Sequence, residues 1–228
     1  MRLILIRHGQ TPSNVLGLLD TAVPGPRLTD LGCEQADAIV EALAGQHVDA
    51  IVASPQTRAQ LTATPPATAR GLPIAVLEGL REVSAGDWEM SGDDEAVHGY
   101  IGVLGEWMHG RLDTTMPGGE SGAAVLQRYD QAIAEAFDQA PETVVAVSHG
   151  AVIRLWAGIR AANLPDDFGA GRPVSNTGVI VLARADSNQP WQAESWTGDA
   201  IGGIELEDAS GDGPAADPLQ RLADPTGG

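Results

Sequence analysis

Short apolar runs alternate along this chain with longer stretches in which apolar residues recur every three or four positions. Runs at 2–6 (RLILI), 49–53 (DAIVA), 74–77 (IAVL), 143–147 (TVVAV) and 178–183 (GVIVLA) predict strands, and a further one is possible at 191–196 (WQAESW). Most are continuous rather than alternating, the pattern of strands buried on both faces of a mostly parallel sheet. Between the first two lies TDLGCEQADAIVEALAG. Thr29 there is a good N-cap, Cys33, Ala36, Ile39, Val40 and Leu43 fall on one face, and Gly45 is a natural stop. A second helix is predicted over 121–140, capped by Ser121, with Val125, Tyr129, Ile133 and Phe137 four residues apart; a third follows over 150–162. The order predicts an α/β three-layer sandwich, a mostly parallel central sheet with helices on both faces.

Two regions break the pattern. Residues 87–120 hold seven glycines with Trp88, Tyr100 and Trp107, and predict an excursion, helical near 94–109, that covers one edge of the domain and the active site. From Asp199 the chain turns rich in Gly, Pro and Ala, with seven acids and one base, Arg221. By composition it reads as a solvated acidic tail, 199–228, after a domain spanning 1–198.

Charge narrows the function. The net charge is −18, and all 13 cations are arginine. Such an acidic chain is poorly suited to nucleic acid or an anionic membrane, since phosphate backbones and headgroups are repelled. Any arginine beside a candidate site therefore matters. The single cysteine, Cys33, allows no intrachain disulfide and reads as a small core residue of its helix. No run reaches membrane-span length and no signal-peptide layout precedes the first strand, so the expected setting is cytoplasmic.

Candidate chemistry gathers where strands end. In open α/β sheets ligands sit beyond the carboxyl ends of the strands. The first strand leads into Arg7-His8-Gly9, the second into Ser54-Pro55 with Arg58 one helical turn on, the third into Leu80-Arg81-Glu82, and the fourth into His149-Gly150. A parallel sheet brings two arginines, two histidines and a glutamate to one mouth. Guanidinium groups bind phosphate oxygens bidentately, a neutral imidazole attacks phosphorus, and a carboxylic acid protonates a departing alkoxide. Backbone N–H groups after Gly9 and Gly150 would add donors. Taken singly, each histidine is as well explained structurally as catalytically, and Arg58 or Glu82 alone more often by solvation. A metal centre would use the same histidines, but no HExxH spacing supports it and two arginines oppose a cation. His47, His98 and His109 lie in a helix end or the excursion and carry no such signal. Arg81, Arg154 and Arg172 read as surface or structural cations, and Trp88, Met90, Tyr100, Trp107 and Met108 as an apolar wall on the leaving-group side or ordinary core.

These residues resemble a known family. LIRHGQT with Asn14 is similar to the RHG signature of the histidine phosphatase superfamily, which includes cofactor-dependent phosphoglycerate mutases. LTDLGCEQA (28–36), SPQTRAQLTA (54–63), LREVSAGDWE (80–89), PGGES (117–121) and VSHGAVIR (147–154) follow in the family's order, so the resemblance covers about 2–182. It implies a phosphoglycerate mutase-like fold and a phosphohistidine on His8. Arg7, Arg58 and His149 would hold the phosphoryl group, with Asn14 and the backbone near Gly9 and Gly150 assisting. Glu82 would be general acid and then base. The implied substrate is a small phosphomonoester, and no metal or organic cofactor is implied.

Two departures stand out. After Asn14 the family continues toward Gly-x-x-Asp-x-x-Leu-Thr, where this chain runs VLGLLDTAVPGPRLT; Asp20, Thr21 or backbone groups are expected to substitute. Pro65-Pro66 predicts that the helix after Arg58 ends near Thr64 and restarts. Phosphatase is favoured over mutase, because a mutase needs extra basic contacts for a substrate carboxylate and the excursion carries only Arg111. A catalytically inactive binding relative would be expected to have lost one of these groups, and all are present.

Overall fold

Along the first strand, β1 (Arg2–Arg7), successive side chains enter opposite cores. Leu3 and Leu5 join one apolar cluster, Ile4 and Ile6 the other. The next three strands, β2 (Ala50–Ala53), β3 (Ile74–Val76) and β4 (Thr143–Ser148), are parallel to it, in the order β3-β2-β4-β1. The last two, β5 (Val179–Ala183) and β6 (Gln192–Thr197), extend the sheet antiparallel beyond β1. This computed structural model describes residues 1–138, 142–208 and 212–214. The six strands fall where the apolar runs predict them, and helices cover both faces.

After a single turn, α1 (Pro12–Val15), comes α2 (Asp30–Ala42), followed across β2 by α3 (Thr57–Arg70). Their apolar residues, among them Ile39, Ala59, Ala63 and Ala67, close the cluster built on Ile4 and Ile6. On the opposite face α4 (Asp94–Met108), α5 (Gly122–Ala136) and α6 (Gly150–Arg160) pack over Leu3 and Leu5. Thr29 and Ser121 cap α2 and α5 as expected, each accepting from the N–H three residues on, worth about 1 kcal/mol apiece. Residues 139–141, at the end of the second predicted helix, lie outside the described residues.

Several details differ from the sequence reading. The buried stripe of α2 is Gly32, Gln35, Ala36 and Ile39, one position away from the expected face, so Cys33 is exposed. The cause is local: Gln35 turns inward because its amide links the Gln10 N–H to the Leu206 carbonyl. That helix ends at Ala42 and is capped by Leu43 rather than stopped at Gly45. Helix α3 runs unbroken through Pro65 and Pro66 to a left-handed Gly71. The two missing N–H groups are adjacent in sequence, and burial of Ala59, Ala63 and Ala67 against the sheet outweighs them. The excursion contributes its helix, but Trp107 and Met108 are core, and Met90 is exposed.

The segment from Asp199 does not stand clear of the domain. Its described residues lie against the carboxyl-end mouth of the sheet: the Leu206 carbonyl accepts from Gln35, Asp208 from Gln10, and Asp212 is buried. Residues 209–211 and 215–228 of the acidic tail lie outside the described residues. Among the described residues no helix is long and apolar enough to cross a membrane.

Candidate active site

Register places the site. Arg7 is the last residue of β1 and pairs with Ser148, the last of β4, so His8 and His149 emerge side by side from adjacent parallel strands. Their rings lie 5.1 Å apart, tilted by 59°. Both are fully enclosed. His8 Nδ1 donates to its neighbour's carbonyl, Gly9 O, at 2.8 Å. That bond fixes the tautomer and makes Nε2 the nitrogen with the lone pair. Arg58 Nε donates to that lone pair at 3.2 Å, which holds the ring aimed at the cavity. Burial first, then the Arg58 and Arg7 charges, push the His8 pKa well below its usual 6.5.

The two guanidinium groups arrive from different elements. Arg7 spends Nη1 on Val174 O at 2.8 Å and Nη2 on the Asp212 carbonyl; Nε has no partner. Arg58, one turn into α3, sends Nη2 to Asp20 O at 2.9 Å and leaves Nη1 without a partner. A carboxylate stands near each, Asp212 Oδ1 at 3.8 Å from Arg7 Nη1 and Asp20 Oδ1 at 3.9 Å from Arg58 Nη1. Desolvation lowers the pKa of both arginines, but a guanidinium starts so high that it keeps its charge.

His149 is oriented by a chain of buried hydrogen bonds. Gln56 Nε2 donates to Thr21 O at 3.0 Å, so its Oε1 faces Ser54 and accepts the Ser54 hydroxyl. The Ser54 oxygen then has only lone pairs left for His149 Nε2, 2.7 Å away. His149 therefore carries its hydrogen on Nε2 and turns Nδ1 to a buried position with no partner. Its pKa is pushed well below 6.5 by burial, then by Arg58, His8 and Arg7.

Glu82 approaches from the loop after β3. Its Oε1 accepts from Val83 N at 2.8 Å and Val152 N at 2.9 Å, and Oε2 from Ala151 N at 3.2 Å. The first turn of α6 thus receives a carboxylate, the favourable pairing for a helix N-terminus. The loop itself is clamped by Arg128, which donates to the carbonyls of Gly79, Arg81 and Glu82 and is neutralised by Glu120 at 2.9 Å.

A cavity of about 30 Å³ sits among these groups. Arg7, His8, Asn14, Arg58 and Glu82 line it, together with Thr11, Ser13, Leu18, Leu19, Asp20, Thr21, Tyr100 and Pro214. Asn14 Oδ1 accepts from the Thr11 N–H, so the amide orientation is set and Nδ2 is left as a donor. Of the five large residues expected as an apolar wall, only Tyr100 reaches the cavity. The backbone at both glycines is closely packed. A side chain on Gly9 would meet Gly32 O at 2.5 Å, and the Gly9 N–H goes to Thr62 Oγ1, so Gly9 admits the start of α2. A side chain on Gly150 would come within 3.1 Å of Arg7 Nε, so that glycine leaves room for the guanidinium. Neither glycine lines the cavity. Arg81 pairs with Glu120, Arg172 lies over the Phe168 ring, and Arg154 is buried against the carbonyls of Gly169 and Ala170.

Reading the sequence missed Asn176, Gln56 and Asp212. Asn176 Nδ2 donates to the His8 carbonyl at 3.0 Å, and its N–H to Asp212 Oδ1 at 2.7 Å. Gln56 lies within the SPQTRAQLTA motif and Asp212 within the acidic segment, but neither position marks the role; each of the three is found only through its buried partner.

Comparison with known proteins agrees with this geometry. The Escherichia coli adenosylcobalamin/alpha-ribazole phosphatase is 36% identical over 160 residues, covering 68% of this chain and 76% of that protein. The Mycobacterium tuberculosis protein PE-PGRS11 is 33% identical over 221 residues, 90% of this chain, but the matched part makes up only 38% of that longer protein. The solved structure of mycobacterial glucosyl-3-phosphoglycerate phosphatase superposes with a TM-score of 0.70 at 30% identity, covering 86% of this chain and 98% of that one. The family profile of the histidine phosphatase superfamily (branch 1) matches residues 3–197, which takes in the six strands apart from Arg2 and every site residue expected from the sequence, and the chain belongs to that superfamily.

Proposed function

We propose that the protein hydrolyses small phosphomonoesters through a phosphohistidine on His8. The observation that carries this reading is a set of buried polar nitrogens without partners, Arg7 Nε, Arg58 Nη1 and His149 Nδ1, on residues that surround the His8 ring, whose Nε2 accepts from Arg58 Nε. Unpaired buried polar groups are costly; a phosphoryl group at this position would accept from the two guanidinium nitrogens, and from His149 Nδ1 once that nitrogen is protonated. Phosphatase names among the relatives support the same chemistry.

In this reading His8 Nε2 attacks phosphorus while the bond to the alcohol oxygen breaks. Arg7, Arg58 and the Asn14 amide hold the equatorial oxygens, where positioning and positive potential supply most of the catalysis. His149 takes up a proton as the anion arrives and donates from Nδ1. Glu82 gives a proton to the departing oxygen; Oε2, with a single long hydrogen bond, is the oxygen with capacity for it. Glu82 then receives a proton from water, whose oxygen attacks phosphorus, breaks the N–P bond and releases phosphate. No step uses a metal.

Incubation with a labelled phosphomonoester is expected to give an acid-labile, base-stable phosphoenzyme that disappears in His8→Ala. A wild-type protein that forms none, and hydrolyses nothing in a broad phosphomonoester panel, would sink the reading. Supplying 3-phosphoglycerate with 2,3-bisphosphoglycerate separates the mutase alternative. Isomer interconversion outrunning phosphate release would select it.

A further inference from the structure

We infer that the site is built for phosphomonoesters whose alcohol half carries no negative charge, an inference that rests on the phosphatase reading above. The argument is one of charge and partners. Among the described residues, the only cations that line the cavity are Arg7 and Arg58. Both lie deep, each nearly fully buried, and each already has a carboxylate within 4 Å, Asp212 and Asp20 respectively. A bound phosphoryl group uses all the positive charge that remains.

The leaving-group side offers nothing more for an anion. It is made of Leu18, Leu19 and Tyr100, with the hydroxyls of Thr11 and Ser13. Asp20 is held facing this space by the Ser13 hydroxyl, which donates to Oδ2 at 2.5 Å. Glu82 is the other ionisable group there, and it carries no positive charge in either protonation state. Among the described residues the neighbouring cations are committed elsewhere or stand apart: Arg81 to Glu120, Arg128 to three carbonyls and Glu120, and Arg27 exposed and outside the lining. A carboxylate or second phosphate on the alcohol would meet the Asp20 carboxylate, the Glu82 carboxyl group and two leucines, with no further cation among the described residues lining the cavity. A neutral hydroxylated alcohol would meet acceptors for its hydroxyls in Asp20 and the threonine and serine oxygens, and an apolar face in the leucines. Sugar, polyol and nucleoside-like phosphates fit this chemistry; phosphorylated hydroxyacids do not.

Glycerol 3-phosphate and 3-phosphoglycerate share one skeleton and differ in a terminal CH2OH against a carboxylate, so they test the inference directly. The purified full chain is expected to favour glycerol 3-phosphate in kcat/KM by about ten- to thirtyfold at low ionic strength, with the gap narrowing as salt rises. Leu18→Arg, which places a cation at the mouth, is expected to narrow the gap by raising kcat/KM for 3-phosphoglycerate. Equal rates, or a preference for 3-phosphoglycerate, would overturn the inference while leaving the phosphatase reading intact. Absence of His8-dependent hydrolysis of both compounds and of p-nitrophenyl phosphate would overturn the phosphatase reading, and this inference with it.

Discussion

Two parts of the chain reach Arg7 from opposite sides. From one side the parallel strands β1 and β4 deliver Arg7, His8 and His149 in ladder register. From the other, Asp208 and Asp212 arrive on a segment whose described residues have no strand pairing, and they make polar contacts with Gln10, Arg7 and the Asn176 N–H. The strand ends are fixed by continuous apolar burial beneath them, which costs several kcal/mol to undo. Asp208 and Asp212 are held by charge and hydrogen bonds, each worth about 1 kcal/mol or a little more. The contrast assigns different tasks: the strand ends set reacting atoms, and the segment trims the electrostatics around them. The expected effects of substitution should follow the same division.

The largest effect belongs to the strand end. His8→Ala removes the nucleophile, and kcat/KM is expected to fall by roughly a thousandfold or more, with no phosphoenzyme. Residual activity near wild type would show that another group accepts the phosphoryl. Next comes the loop that bears the acid. Glu82→Gln keeps the hydrogen-bonding shape but cannot transfer a proton, so kcat for alkyl phosphates is expected to drop about 10²- to 10³-fold. With p-nitrophenyl phosphate, whose leaving group needs no proton, the loss in the phosphorylation step should be far smaller. Equal losses with both substrates would place Glu82 in binding rather than acid catalysis.

The contrast also shows what a sequence reader can and cannot see. Apolar runs ending in Arg7-His8 and Ser148-His149 were legible because burial on two faces leaves an uninterrupted pattern, and the motif order tied Arg58 and Glu82 to them. What stayed hidden depended on partners remote in sequence. Gly9 reads as a phosphate-loop glycine until Gly32 O is found 2.5 Å from where its side chain would be. Cys33 reads as core until Gln35 turns inward, because a shift of one residue rotates a helix face by about 100°. Composition made residues 199–228 a solvated tail; it reports the number of acids but not that Arg7 and the Asn176 N–H wait for one of them.

A pH titration of stability sharpens the same division. His8 and His149 are neutral in the fold, their pKa values well below 6.5 through burial first and then neighbouring charge. The unfolded chain therefore takes up protons first as pH falls. Stability from these two rings is fully present above about pH 6.5 and is lost below it, by about 1.4 kcal/mol per pH unit for each ring, until the folded values are reached. Urea unfolding between pH 7 and 5.5 should show this slope, and His149→Gln should reduce it. An unchanged slope in the variant would mean that His149 is not the group being protonated.

Gln56 tests how far the strand ends rely on support beneath them. Gln56→Leu fills a similar volume but removes the acceptor for the Ser54 hydroxyl. That hydroxyl is then free to donate to His149, and the ring's hydrogen moves to Nδ1. We expect kcat to fall about tenfold with KM changed less, and the imidazole nitrogen NMR signals of His149 to show the other tautomer. A loss confined to thermal stability would make Gln56 a packing residue only.

The smallest effect is expected on the acidic side, and its sign matters more than its size. In Asp212→Asn the amide oxygen keeps the hydrogen bond from the Asn176 N–H, and the Asp212 backbone carbonyl stays on Arg7. Only the charge 3.8 Å from Arg7 Nη1 is lost. Arg7 then faces the phosphoryl group with its charge uncompensated, so KM is expected to fall by about two- to fivefold at low salt, with kcat nearly unchanged and the difference fading as ionic strength rises. The strand ends would then carry the chemistry and Asp212 would only moderate it. A rise in KM would reverse that view: it would mean that the carboxylate steadies Arg7 in its binding posture, and that the acidic segment belongs to the machinery as fully as the strands do.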